Sequence, residues 1–220
     1  MNRKILILFI VAVVLVAGCR KKKEEPIKEP EEIKKAEIKY QEKGDILYSV
    51  CYKDNEYMDD LCIDRDQDFV TNMIDYIDLR MMYSFNISEE IEYIYSYRIT
   101  GIIGIRDKKT NSLLYDGKEE FVIREGATLD KTKEFIIDES MRIDYKKYTD
   151  ILEDFKKELG VTLSGALKIT LHIELDWEHE KLSEPVIIVN DIELVISLSE
   201  QTFNFRNYEN FRNSETITLE

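Results

Sequence analysis

The chain has 220 residues, 45 acidic and 31 basic, and a formal charge of −14. That balance excludes general electrostatic attraction to phosphate backbones, and nucleic acid is not an expected partner. Thirteen tyrosines and nine phenylalanines supply bulk for a core, and only eight glycines and three prolines exclude a low-complexity chain.

Residues 1–18 read as a secretory signal. Arg3 and Lys4 open it, residues 5–16 are an unbroken apolar run, and Val16-Ala17-Gly18 puts small residues before Cys19. This end is similar to a bacterial lipobox, with Val16 where leucine is commoner. The resemblance implies a diacylglycerol on the Cys19 sulfur and cleavage before it. The mature protein is then expected outside the cytoplasm, held to a bacterial membrane through the Cys19 lipid. The competing reading is an uncleaved anchor, but the run falls short of the ~20 apolar residues a spanning helix needs. The signal carries two cations and no acid, so residues 19–220 hold −16. Anionic headgroups repel such a chain, except at Arg20, Lys21, Lys22 and Lys23 beside the lipid.

Residues 19–35 are almost all charged, with two prolines and no aromatics, and are expected to be a flexible tether. Residues 36–206 read as one β-sandwich-like domain of about nine strands with one amphipathic helix. Residues 36–40 and 46–52 alternate like strands, with a turn expected at Lys43-Gly44-Asp45. Residues 53–68 are polar and read as a loop. Ile77, Leu79, Met81, Tyr83, Phe85 and Ile87 alternate with polar neighbours. After Ser88-Glu89-Glu90, the odd positions 91–105 do the same, and the two runs are expected to form an antiparallel pair. Residues 107–112 read as a turn, and residues 113–115, 120–123 and 134–143 as shorter strands.

One helix interrupts. Asp144 is its expected N-cap, residues 145–159 its body and Gly160 its stop. Tyr148, Ile151, Leu152, Phe155 and Leu159 recur at helical spacing and are expected to face the core. The odd positions 167–177 then form another apolar row. Residues 186–189, 192–198 and 202–205 read as further strands, and residues 207–220 as a loose polar tail.

Candidate chemistry is sparse. Cys51 and Cys62 are an even pair in an exported chain and are disulfide candidates; in a reducing envelope they would be free thiols. Asp64, Asp66 and Asp68 fall at calcium-loop positions 1, 3 and 5, and Asp75 at position 12. Phe69 stands where such a loop needs glycine, so the EF-hand pattern fails, leaving a generic calcium-stabilised loop beside the reading of a solvated acidic one. His172 and His179 fit no zinc spacing. The chain has no GxSxG, HExxH, phosphate-cradling or dinucleotide-binding motif, so no catalytic residue is singled out and no cofactor is expected. Tyr93, Tyr95 and Tyr97 share one strand face, which reads as core; exposed, they would form an aromatic strip suited to sugars or proteins.

Met73-Ile74-Asp75-Tyr76-Ile77-Asp78-Leu79, Tyr83-Ser84-Phe85 and residues 93–97 form one block. Ile143-Asp144-Tyr145-Lys146-Lys147-Tyr148, running to Phe155 and Gly160, forms another, and Leu198-Ser199 to Phe205 an ending. Across residues 45–206 this pattern resembles an uncharacterised family of membrane-anchored surface proteins of AT-rich bacteria, with the motif I-D-Y-x-x-Y…F. The resemblance implies a surface location and no assigned activity. Many members carry spanning anchors, often one at each end, whereas this chain has a lipobox. The expected role is binding or structural, toward an envelope or surface protein or a glycan, and not catalytic. The alternative is an envelope enzyme, carbohydrate-active, using carboxylates that the sequence does not single out.

Overall fold

The computed structural model describes residues 37–106, 117–160, 164–180, 182–205 and 210–218. The expected signal, Cys19, the tether, the turn at 107–112 and the strand at 113–115 lie outside them. In chain order the elements are β1 (Glu37–Tyr52), β2 (Cys62–Ile63), β3 (Phe69–Val70), β4 (Ile74–Arg106), β5 (Gly117–Asp144), α1 (Tyr145–Leu159), β6 (Ser164–Trp177), β7 (Val186–Ser197), β8 (Thr202–Phe203) and β9 (Phe211–Thr218). The class is mainly β with one amphipathic helix. Seven strands make one antiparallel sheet, and β3 with β8 a small second one.

The 33-residue strand β4 is shared by two ladders. Its first half pairs with β1, from Tyr52↔Ile74 to Tyr40↔Ile87. Its second half pairs with β6, from Tyr93↔Trp177 to Arg106↔Ser164. Strand β5 runs beside both halves, with its register broken between Asn86 and Ile91. Strand β9 extends the first half beyond β1, and β7 the second half beyond β6.

The sheet folds over at that break, because the apolar rows of both halves have no other way to leave water. Inward residues from the two halves then meet. Phe85 packs edge-on against Tyr93, ring centroids 5.6 Å apart. A Cβ built on Gly44 of β1 would lie 2.3 Å from Ile192 Cδ1 of β7. Leu167, Ile169, Leu171, Ile173 and Leu175 are wholly buried, as are Ile77, Met81 and Phe85 opposite. Each such side chain contributes roughly 1.5–3 kcal/mol of burial. The two layers are thus halves of one sheet rather than separate sheets.

Several expectations are corrected; among them, the strands expected at 120–123 and 134–143 are both parts of β5. No turn occurs at Lys43-Gly44-Asp45, because β1 runs straight through and Gly44 pairs with Tyr83. Gly44 is there for close approach to β7, not for a turn. Residues 77–87 and 91–105 do not pair with each other; they are successive halves of β4. Ser88-Glu89-Glu90 lie at the fold, where the Ser88 hydroxyl accepts from the Lys39 amide. The expected strands at 186–189 and 192–198 are one strand, Val186–Ser197. Within the expected loose tail, residues 211–218 form β9, whose backbone completes the outer edge of β1. Its polar side chains hide a strand held by ladder bonds.

Helix α1 forms where its caps demand. The Asp144 side chain accepts from the Lys147 amide at 2.9 Å, and Gly160 adopts the left-handed conformation at φ 64°, which favours glycine. Tyr145, Tyr148 and Leu152 are buried, Phe155 is half-buried, and Ile151 is exposed, contrary to the expected stripe. The helix is rotated so that Leu152 sits directly on Gly165 of β6. The Tyr145 hydroxyl donates to the Ser197 carbonyl at 2.7 Å and its ring stacks on Phe203, so α1 closes the core beside β7 and β8. Leu159's side chain lies outside the described set. Cys51 and Cys62 face each other across β1 and β2, Cα atoms 4.0 Å apart, and are joined by a disulfide.

Candidate functional site

The outer face of the β4–β6–β7 half gathers ionisable groups in one row. Strand alternation turns Ser96 and Arg98 of β4, His172 and Glu174 of β6 and Asp191 of β7 outward. Register places Arg98 opposite His172 and His172 opposite Asp191. His172 Nδ1 lies 2.7 Å from Asp191 Oδ1, and Nε2 lies 3.0 Å from Glu174 Oε1. The Ser96 hydroxyl donates to Glu174 Oε2 at 3.3 Å. Beside this row β5 carries one extra residue, with Tyr95 opposite Ala127 and Tyr97 opposite Arg124. The bulge opens a recess of about 260 Å³ lined by Ser96, Arg98, Arg124, Glu125, His172 and Glu174.

Burial alone would lower the His172 pKa, but hydrogen bonds to Glu174 and Asp191 outweigh it and raise the pKa above the usual histidine value. Glu174 is held below the usual carboxylate range, first by His172 and then by Ser96. The arrangement favours the protonated form of the imidazole. It does not build a nucleophile, because Ser96 donates to Glu174 and both ring nitrogens face carboxylates. The recess is also smaller than the roughly 300–1,000 Å³ of small-molecule pockets.

A cleft of about 540 Å³ lies between the start of β6, the end of β7 and β8, with Asp68, Glu193, Glu200, Thr202 and Asn204 on its walls. Asp68 accepts from Asn204 at 2.7 Å, and Glu193 pairs with Lys168. Asp64, Asp66 and Asp68, the calcium candidates, lie on the segment between β2 and β3. Among the described residues no three His, Cys, Asp or Glu side chains are placed to hold a metal ion. Phe69, which follows Asp68, is fully buried and opens β3. His179 contacts Glu89 at 3.1 Å.

The tyrosine row is core, not strip. Tyr93 is fully buried, and Tyr95 and Tyr97 are half-buried and stacked 6.3 Å apart. The Tyr97 hydroxyl donates to Glu139 at 2.6 Å; its pKa is pushed up to about 12 by burial and then by Glu139. Two more hydroxyls also reach carboxylates: Tyr40 to Glu215 at 2.7 Å and Tyr148 to Glu119 at 2.6 Å.

The fourth such pair is the one sequence reading missed. Glu42 is buried at an inward position of β1, between Tyr40 and Gly44 in the row. Its Oε1 accepts from the Tyr83 hydroxyl and from Asn190 Nδ2 of β7; its Oε2 accepts from Asn213 Nδ2 of β9 at 3.0 Å. Burial, reinforced by Glu42, raises the Tyr83 pKa far above its ordinary value. The signal was present: extending the alternation of Ile38 and Tyr40 through Gly44 to Ile46 puts Glu42 in phase with the core. The supposed turn hid it.

Neither a scan against family models nor a search of curated proteins matched this chain. Among solved structures, an Archaeoglobus fulgidus protein is similar over 59% of this chain and 94% of its own, at 13% identity and a TM-score of 0.24.

Proposed function

We propose that this is a lipid-anchored extracytoplasmic protein whose β domain binds or braces another component of a bacterial cell envelope. The carrying observation is the order along the chain: an apolar signal ending Val16-Ala17-Gly18-Cys19, a charged tether, then a folded domain. Two things support it. The disulfide Cys51–Cys62 is at home in an oxidising compartment. The I-D-Y-x-x-Y block at 143–148, which resembles that of membrane-anchored surface proteins, builds the cap and first turn of α1. The outer faces carry paired surface charges, such as Arg80 with Asp138 and Arg142 with Asp78, suited to a polar partner.

Cys19→Ala should abolish fatty-acid labelling and leave an unprocessed precursor; unchanged labelling would sink the lipoprotein reading. Affinity capture with residues 19–220 from envelope extracts should retain a protein or glycan. Retention no greater than on empty matrix would remove the binding role.

A further inference from the structure

We infer that β9 is a strap that opens locally, uncovering the outer edge of β1, while the rest of the domain stays folded. The strand pairs with β1 from Glu37↔Thr218 to Gly44↔Phe211. Its inward row is Phe211, Asn213, Glu215 and Ile217, directly opposite Gly44, Glu42, Tyr40 and Ile38. No residue of β9 is buried, whereas five inward leucines and isoleucines of β6 are wholly so. The hydrophobic hold on β9 is therefore the weakest of the long strands, and local opening follows where buried apolar contact is least.

Phe211 and Ile217 pack only partly buried against the core, and the other side chains hold β9 by polar contacts. Asn213 donates to Glu42, Tyr40 to Glu215, and Arg212 to Asp45 at 2.8 Å and to the Gly44 carbonyl at 3.0 Å. Such contacts are cheap to exchange for water. Glu42 makes the exchange cheaper still. Tyr83 and Asn190, both inside the domain, serve Oε1, and only Oε2 is given to β9. When β9 leaves, water takes the place of Asn213 and no buried acceptor is orphaned. A carboxylate in a core row gains hydration on opening, which an apolar residue there would not.

The test is trypsin digestion of the mature chain in an Arg206→Gln background, following the Arg212–Asn213 and Lys168–Ile169 bonds by mass spectrometry. The first bond lies in β9 and the second in the middle of β6. The Arg212 bond should be cut while the Lys168 bond survives. Asn213→Asp sets a second carboxylate against Glu42 and should raise cleavage at Arg212 about tenfold or more, because cleavage follows the open population. Cleavage at Lys168 should not change. Adding Glu42→Gln restores one acid and one amide and should return the Arg212 rate to near wild type. Equal cleavage at both bonds, or an Asn213→Asp rate equal to wild type, overturns the inference. Should the Glu42 variant fold poorly, amide exchange on the wild-type chain decides. Residues 211–218, and the amides of 37–44 that face β9, must then exchange faster than 167–175.

Discussion

The contact between Leu152 and Gly165 is where α1 meets the sheet, and it yields a sharp double-variant test. A Cβ built on Gly165 would lie 2.3, 2.4 and 2.9 Å from Leu152 Cδ2, Cδ1 and Cγ. Those are the three atoms that Leu152→Ala removes. Leu152 is wholly buried, so its truncation should cost ~2–5 kcal/mol in lost transfer and cavity. Gly165→Ala overpacks the same spot and should cost ~1–3 kcal/mol. In the double variant the new methyl enters the space the leucine vacated. Its loss should fall short of the sum of the singles by ~1 kcal/mol or more, beyond the ~0.3–0.5 kcal/mol scatter of independent sites. Urea unfolding followed by Trp177, the single tryptophan and a buried one, measures all four proteins. Additive losses, or a Leu152→Ala cost below ~1 kcal/mol, would mean that the helix is not docked on β6. Lys157→Ala is the surface control, expected within ~0.5 kcal/mol; Lys156 is unsuitable, because only 13% of its side chain is exposed.

His172 makes stability depend on pH. Its folded pKa is raised, so its contribution is complete below its unfolded value of about 6.5 and is lost as pH rises through the folded value. Wild type should lose stability relative to His172→Gln as the pH rises above about 6.5; a slope of opposite sign refutes the pairing with Glu174 and Asp191. The bridge of Cys51 to Cys62, eleven residues apart, should contribute about 3 kcal/mol. Reducing it should lower the urea midpoint accordingly, and a thiol titration that finds both free in unreduced protein rejects it.

What the sequence makes legible is what local chemistry decides. Asp144 and Gly160 mark the helix ends to the residue, because a cap and a left-handed stop are written in side chains of fixed type. The odd-position rows of β4 and β6 are legible because burial of one strand face repeats every second residue. Ile151 shows the limit: it belongs to the apolar stripe, but docking of Leu152 on Gly165 chooses the rotation that leaves it outside. Gly44 and the run at 88–90 look like turns because glycine and charges usually punctuate strands; only the opposing layer reveals that one is a contact and the other a fold in a continuous strand. Strand β9 carries polar residues at the centre of its inward row, and nothing within 211–218 announces Glu42 and Tyr40 as their partners. The recess beside His172 depends on a bulge in β5 and on Asp191 of another strand, which no local pattern joins.

Strand β4 also fixes when this domain can fold. Its first half needs β1 and the last part of β5, its second half needs β6 and the first part of β5, and β1 in turn closes against β9 near the far end of the chain. β4 and β5, like β6 and β7, follow one another in the chain, but the pairings of β1 with β4, β4 with β6 and β1 with β9 span long stretches of sequence, and loop closure must be met before those pairings reward it. Such a topology folds on the order of milliseconds to seconds. A chain lacking its last hundred residues would hold β4 with its second half unpaired on the β6 side, presenting a row of isoleucines and tyrosines with no opposing layer. Assembly therefore waits for nearly the whole polypeptide, and a nascent or truncated form is the aggregation-prone species of this protein.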